Sequence, residues 1–423
     1  MLVAVELPGA DIALDDDLTE ALELTRAVGA ELAATLVCRR NQVDPALFIG
    51  SGKTAELAEL VTASCADLVI FNHPLSPSQE RNLERILKCQ VIDRIGLILD
   101  IFARRARSHE GKLQVELAQL KHLSTRLVRG WTHLERQKGG IGLRGPGESQ
   151  LETDRRLIRV RIRLLEARLE RSVKQRINSR RNRSETPTVA LVGYTNSGKS
   201  TLFNALTESE VFAADLLFAT LDSTLRRLEL PDSEPVILVD TVGFVRRLPH
   251  ALVAAFRSTL EEVRSASLLL HVVDSSRTDE RQMMMAQVNG VLDDIGAGDI
   301  PQIEVMNKID LTDHAPAHPA GNGGVERVWL SAHSGSGVDL LRSAVGQRFA
   351  ASRMRKTLHL PRCDGQLRAG VFRLGQVRHE HFDADGAWQV EFDIGRGELA
   401  RLAPLLAAAD TDTLPTSAIT VEQ

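Results

Sequence analysis

Gly193, Tyr194, Thr195, Asn196, Ser197, Gly198, Lys199 and Ser200 follow the spacing G-x-x-x-x-G-K-S, between an apolar run at Thr188–Gly193 and a helical pattern. Glycines let the main chain curl until successive N–H groups face a chain of phosphates, and the helix N-terminus beyond adds its positive dipole. Lys199 would reach the β- and γ-phosphates of a bound nucleotide. Ser200, followed by Thr201, would ligate Mg²⁺. A second glycine-lysine stretch, Gly50-Ser51-Gly52-Lys53-Thr54, has Leu47 where the first glycine of such a loop belongs, and reads as a loop entering a helix at Lys53.

Three further motifs follow in order, each at the end of an apolar run. Val236–Val239 leads into Asp240-Thr241-Val242-Gly243, whose aspartate can hold the Mg²⁺ shell through water and whose glycine N–H can contact a γ-phosphate. Asn307-Lys308-Ile309-Asp310 offers a carboxylate able to accept both N1–H and the exocyclic 2-amino group of guanine, a donor pair that adenine lacks. Ser331-Ala332-His333 ends the last strand, where a main-chain N–H can donate to guanine O6. Ligands of α/β folds collect at carboxyl ends of strands. Together the motifs imply GTP rather than ATP, with GDP as product. Between them, Phe218-Ala219-Thr220-Leu221-Asp222 supplies Thr220, preferred over Thr224 or Thr201 as the threonine that completes Mg²⁺ coordination when the γ-phosphate is present. Lys199 and Thr220 are the candidate catalytic residues. Phe244 stands where Ras-type proteins carry a water-orienting glutamine, so hydrolysis should be slow or depend on a partner; simple core packing explains the same residue equally well.

These groups need elements to hold them. Leu2–Leu7, Glu31–Cys38, Asp67–Phe71 and Gln90–Ile92 read as strands, alternating with helices at Asp16–Val28, Lys53–Thr62 and Ser76–Leu87. From about Ser108 leucines recur at helical spacing to about Arg136. Five glycines and a proline then fall within Gly139–Gly147, and helical spacing resumes from Leu151 to Ile177. This reads as two long antiparallel helices joined by a glycine-rich tip, with a polar linker at Asn178–Thr186. Thr188–Gly193, Pro235–Asp240, Leu268–Asp274, Gln302–Met306 and Glu326–Leu330 are apolar strands of a second α/β unit, with Thr224–Leu230 a further strand at the sheet edge. Beyond Lys356, two strands around Asp383–Gly386 and a helix over Gly397–Ala407 make a small α+β unit. The expected fold is α/β: a P-loop GTPase G domain (187–355) preceded by a small α/β subdomain (1–107) and a helical hairpin (108–186, tip at 139–147), with a C-terminal domain at 356–423.

The net charge of −4 over 423 residues favours no class of partner, but it hides an asymmetry. Arg155–Arg183 carries eleven arginines and one lysine against two glutamates. A merely solvated helix mixes signs, so this one-sided excess, with Lys138 and Arg144 at the tip, points to nucleic-acid contact through backbone and shape. The chain has one tyrosine and three tryptophans, and no stacking platform is legible. Cys38, Cys65, Cys89 and Cys363 form no CxxC pair and read as reduced, mostly buried thiols. No apolar run approaches the length of a membrane span, and the first residues lack a secretory pattern. The expectation is a cytoplasmic monomer without integral membrane association.

The chain resembles the HflX family of GTPases over nearly its whole length. The resemblance rests on Asp44–Leu57 (DPALFIGSGKTAEL), Asn72–Arg85 (NHPLSPSQERNLER), Val91–Leu120 and Gly139–Arg156 (GGIGLRGPGESQLETDRR), and on GYTNSGKS, FATLD, DTVGFVRRLPH and NKID in the nucleotide-binding region. It implies binding to the large (50S) ribosomal subunit and its rRNA, with the glycine-rich tip near the peptidyl-transferase region. It also implies ribosome splitting or rescue under stress, and stimulation of GTP hydrolysis by the ribosome. By position it implies GTP contacts at Gly193–Ser200, Phe218–Asp222, Asp240–Gly243, Asn307–Asp310 and Ser331–His333, with Mg²⁺ on Ser200 and Thr220. A hydrophobic residue after DxxG is usual in this superfamily. Ser223 departs from the proline usual there. The competing reading is a GTP-dependent assembly factor in which hydrolysis serves only release.

Overall fold

The computed structural model describes residues 1–8, 14–129, 146–181, 186–207, 218, 220, 223–231, 235–245, 257–318, 326–351, 354–360, 363–384, 386–410 and 419–420. The first unit runs β1 (Leu2–Glu6), α1 (Leu14–Ala27), β2 (Thr35–Arg39), α2 (Gly50–Ser64), β3 (Leu68–Phe71), α3 (Pro77–Leu87), β4 (Gln90–Ile92) and α4 (Arg94–Arg105). Its four strands form a parallel sheet in the order β2-β1-β3-β4. β1 is buried from Leu2 to Val5, which explains its unbroken apolar sequence. α3 opens with a capping box in which Ser76 and Gln79 satisfy each other's main-chain N–H groups, with Pro77 at the first helical position.

Two features differ from expectation. α2 begins at Gly50, three residues before the expected start at Lys53: the buried Leu57 and Val61 fix the helix and outweigh the poor helix propensity of Gly50 and Gly52. α4 was not assigned in the sequence, although it is amphipathic: Leu97, Ile98, Leu99, Ile101 and Phe102 are buried while Asp100, Ala103 and Arg104 are exposed.

α5 (His109–Arg129) and α6 (Pro146–Arg181) pack through Leu113, Leu117 and Leu165, flanked by Leu120, Ile162 and Leu169. Ion pairs Lys121–Glu166 (2.8 Å) and Arg161–Glu116 (2.6 Å) border that seam. The glycine-rich segment from Gly139 to Gly145 lies outside the described residues. α6 begins at Pro146, so Gly147 is helical, and it continues through Arg181 into what the sequence marks as linker.

The third unit comprises β5 (Thr188–Val192), α7 (Lys199–Thr207), β6 (Thr224–Leu228), β7 (Val236–Asp240), α8 (Arg257–Arg264), β8 (Leu268–Asp274), α9 (Arg281–Asp294), β9 (Gln302–Asn307), β10 (Glu326–Trp329) and α10 (Val338–Ala351). Its six-stranded sheet has the order β10-β9-β8-β5-β7-β6, parallel except for β6, the antiparallel edge strand. The last unit wraps β11 (Met354–Leu360), α11 (Gly365–Leu374), β12 (Gln376–Phe382), β13 (Trp388–Ile394), α12 (Arg396–Asp410) and β14 (Ile419–Thr420) around the buried Trp388 and Phe392. Its sheet, in the order β12-β13-β11-β14, is antiparallel.

The core of the first unit extends beyond its own sheet: Phe218 and Val245 of the third unit share an apolar cluster with Leu24, Leu97 and Phe102. Of the four cysteines only Cys38 is buried, Cys65 being exposed and the other two half-buried, so the thiols are less hidden than expected. No helix among the described residues is long and apolar enough to cross a membrane.

Candidate functional site

At the carboxyl end of the six-stranded sheet lies a cavity of about 380 Å³. The turn from β5 into α7 forms its floor through Thr195, Asn196, Gly198, Lys199, Ser200 and Thr201. Two glycines are required there. Gly193 has φ +147° and a Cβ on it would collide with the Val272 carbonyl; Gly198 has φ +90° and would collide with the Asn307 amide. Phe218 and Thr220 close one side, Thr241 and Gly243 a second, and Asn307, Lys308 and Asp310 a third, with Ala332 and His333 beyond them.

Residues far apart in sequence meet in this cavity. Ser200 Oγ lies 2.7 Å from Thr220 Oγ1, and both hydroxyls donate to Asp240 Oδ2, at 2.7 and 2.8 Å. Buried Asn307 ties two loops together: its Nδ2 donates to the Ser197 carbonyl (2.8 Å) and its Oδ1 accepts from Ala332 N–H (2.9 Å). Lys308, in left-handed conformation at φ +65°, pairs with Asp274 at 2.7 Å, and Asp310 follows on a 3₁₀ turn, Ile309–Leu311. Thr224, the rival to Thr220, sits on β6 and does not line the cavity, whereas Thr201 does.

Other expected contacts do not face the cavity. Tyr194, Ser197, Val242, Ile309 and Ser331 are absent from its lining, as are Gly193 and Asp240, although Asp240 touches it through Ser200 and Thr220. Ser331 holds the turn after β10 by accepting from Ser334 N–H on its hydroxyl. Ala219, Leu221 and Asp222 lie outside the described residues.

Three family models match the chain in succession: GTP-binding GTPase N-terminal at residues 15–103, GTP-binding GTPase Middle Region at 105–183, and 50S ribosome-binding GTPase at 188–308. GTPase HflX of Escherichia coli (strain K12) is 54% identical over 376 residues, which cover 88% of each chain. The chain belongs to the HflX family of GTPases. GTPase HflX of Magnetococcus marinus is 48% identical over 352 residues, 82% of this chain and 81% of that one. A GDP-bound GTP-binding protein from Sulfolobus solfataricus aligns with a TM-score of 0.44 and 24% identity, over 82% of this chain and 97% of that one.

As an HflX-family member the chain is a GTP-hydrolysing enzyme with an α/β P-loop GTPase fold. Electrostatics suit an anionic ligand. Burial pulls Lys199 down from 10.5 to about 8, with Lys308 adding to the effect and Asp240 opposing it. Its Nζ donates to the carbonyls of Gly193 (3.1 Å) and Tyr194 (2.7 Å). Burial raises Asp240, against hydrogen bonds from Ser200 and Thr220 and the charge of Lys199. Its Oδ1 is fully buried and has no hydrogen-bond partner. Hard oxygens of Ser200, Thr220 and Asp240 beside an orphaned carboxylate oxygen fit a divalent cation such as Mg²⁺.

Phe244 is buried in a cluster with Val192, Leu260 and Val263, which supports the packing explanation. Its main chain is laced to the Gly193–Ser200 loop: Phe244 N–H donates to the Gly193 carbonyl (3.1 Å), and Thr195 N–H donates to the Phe244 carbonyl (2.7 Å). Asp274 and Ser275 went unassigned in the sequence, although an aspartate ending an apolar strand was the available signal. Ser275 donates through N–H and Oγ to the Asn307 carbonyl, at 2.9 and 2.6 Å.

Proposed function

We propose that this chain is a ribosome-associated GTPase whose nucleotide state sets its affinity for the large subunit, and that it splits or rescues ribosomes under stress. The observation that carries the ribosomal reading is α6. Arg156, Arg159, Arg161, Arg163, Arg168 and Arg171 are all exposed, while Ile162, Leu165 and Leu169 of the same helix pack on α5. Such a rod of guanidinium groups suits the phosphate backbone of rRNA. The 50S ribosome-binding description of the matching G-domain model supports the same partner. The reading treats the chain as a cytoplasmic monomer built from the four units divided near residues 107, 186 and 355.

In the nucleotide site, Gly193–Ser200 would cradle the phosphates, Asp310 would read guanine, and the Ala332 N–H region would face O6. Ser200 and Thr220 would hold Mg²⁺, with Asp240 acting through water; when bound, the ion supplies positive charge to the phosphate oxygens. Lys199 neutralises charge developing on the β–γ bridge during in-line attack of water. Phe244 provides no hydrogen bond to orient that water, so basal turnover is slow.

GTPase rate with and without purified 50S subunits, in one buffer, tests the proposal. Acceleration of tenfold or more is expected. GTP-dependent 50S binding without acceleration favours the assembly-factor reading instead, and absence of 50S binding refutes both. Charge-neutralising several of the exposed α6 arginines should weaken binding and flatten its salt dependence.

A further inference from the structure

Tyr194 occupies the second position of the phosphate loop, yet it is absent from the cavity lining and its side chain points elsewhere. Its hydroxyl donates to Glu20 Oε2 on α1, at 3.0 Å and 174 residues away in sequence. Glu20 is 5% exposed and Tyr194 8%. From Glu20 a polar chain continues inward. Arg94 binds Glu20 Oε1 at 2.5 Å and approaches Asp17 at 3.6 Å. Asp17 Oδ2 accepts from Asn72 at 2.5 Å, and Asn72 Oδ1 accepts from Val5 N–H on the central strand of the first sheet at 2.9 Å. All of these side chains are buried. A network of this kind is costly to desolvate, and its usual return is one specified arrangement rather than extra stability.

Two further contacts join the same surfaces. Phe218, at one wall of the cavity with φ +57°, meets Phe102 of α4 edge-on at 4.6 Å. Arg277, just after β8, pairs with Glu23 of α1 at 3.2 Å. The N-terminal unit thus grips the nucleotide end of the G sheet at the phosphate loop, at the Thr220 segment and beyond β8.

We propose that Tyr194 is a positioning residue through which Glu20 of the N-terminal unit holds the phosphate loop in its nucleotide-retaining shape. The lever is short. The Tyr194 carbonyl accepts from Lys199 Nζ at 2.7 Å, and Tyr194 forms an isolated bridge with Phe244 just after Gly243. Anchoring this one side chain therefore fixes the residue where Lys199, the start of the loop and the end of DxxG converge. The N-terminal unit acts as a resident effector of nucleotide release. This inference rests on reading Gly193–Ser200 as the phosphate loop.

Tyr194 is the only tyrosine of the chain, which gives a direct test. Full-length protein labelled with 3-fluorotyrosine yields one ¹⁹F resonance, expected away from the free amino-acid position and displaced by Glu20→Gln. In parallel, Tyr194→Phe, which removes a single oxygen, should speed release of a fluorescent GDP analogue on the order of tenfold, the scale of one hydrogen bond to a charged group. A free-tyrosine resonance indifferent to Glu20→Gln overturns the tether. So does a Tyr194→Phe protein with lowered Tm but unchanged release, since that is a purely structural role. Failure of the wild-type chain to bind the GDP analogue overturns the phosphate-loop reading itself, and the proposal with it.

Discussion

Asn307→Ala should damage the site through its supports rather than through the ligand. The asparagine is 2% exposed, and its amide spans from the Ser197 carbonyl to Ala332 N–H. Truncation strands both groups away from water at about 1–3 kcal/mol each, or roughly 2–6 kcal/mol in all. For a unit of this size each kcal/mol lowers Tm by about 2–4 °C, so a fall of roughly 5–20 °C is expected. The phosphate loop and the Ala332 loop would then be ordered by the nucleotide instead of by Asn307, and GDP affinity should drop about ten- to a hundredfold. Asp310→Ala is the matched control: Asp310 is exposed at the cavity, so affinity should fall while Tm holds. Differential scanning fluorimetry and titration of a fluorescent GDP analogue read both quantities. An Asn307→Ala protein with wild-type Tm and affinity within about twofold would refute the reasoning.

Asp310→Asn should shift preference from GTP toward xanthosine triphosphate, because the amide can no longer accept two donors from guanine; unchanged GTP affinity in competition binding overturns the base assignment. Lys199 sits at about 8 in the nucleotide-free protein against 10.5 in water, and a triphosphate opposite it restores the proton. Binding should therefore take up a proton between those values and weaken as pH rises above about 8, and calorimetry near pH 9 in buffers of different ionisation heat should show it. Zero uptake there sinks the charge-neutralising role. Phe244→Gln should lower Tm without raising basal hydrolysis, since the amide would be buried among Val192, Leu260 and Val263. A tenfold faster basal rate at intact Tm would contradict that placement.

Motifs built on local geometry were legible in the sequence; pairings across units were not. Gly193 and Gly198 announce a loop because only glycine tolerates their φ values beside Val272 and Asn307. The edge placement of Thr224–Leu228 was also readable, its exposed Arg226 and Arg227 alternating poorly with apolar neighbours. Glu20, by contrast, looked like one acid among many on α1, and nothing local distinguishes a carboxylate that faces solvent from one that receives Tyr194. α4 was missed although Asp100, Ala103 and Arg104 give it an exposed face against buried Leu97, Ile98 and Phe102. The start of α2 was placed at Lys53, three residues late, because the glycines at 50 and 52 read as loop while the burial of Leu57 and Val61 that outweighs their propensity is tertiary.

The same long-range packing bears on how hydrolysis is controlled. The Phe244 side chain is held in its apolar cluster, and its main chain makes two hydrogen bonds to the Gly193–Ser200 loop, at Gly193 and Thr195. Gly243 beside it has no room for change, since a Cβ there would press on Thr195 and lie 3.0 Å from Lys199 Nζ. The DxxG side of the site is therefore closely packed and carries a phenylalanine where a water-orienting side chain usually stands. On the opposite wall Thr220 meets Ser200 and Asp240, and Phe218 leans on Phe102 of the N-terminal unit. Under the proposed function, a partner that accelerates turnover would act on that wall or insert a group of its own. That wall is also the one the N-terminal unit touches, since Phe218 both lines the cavity and packs on Phe102.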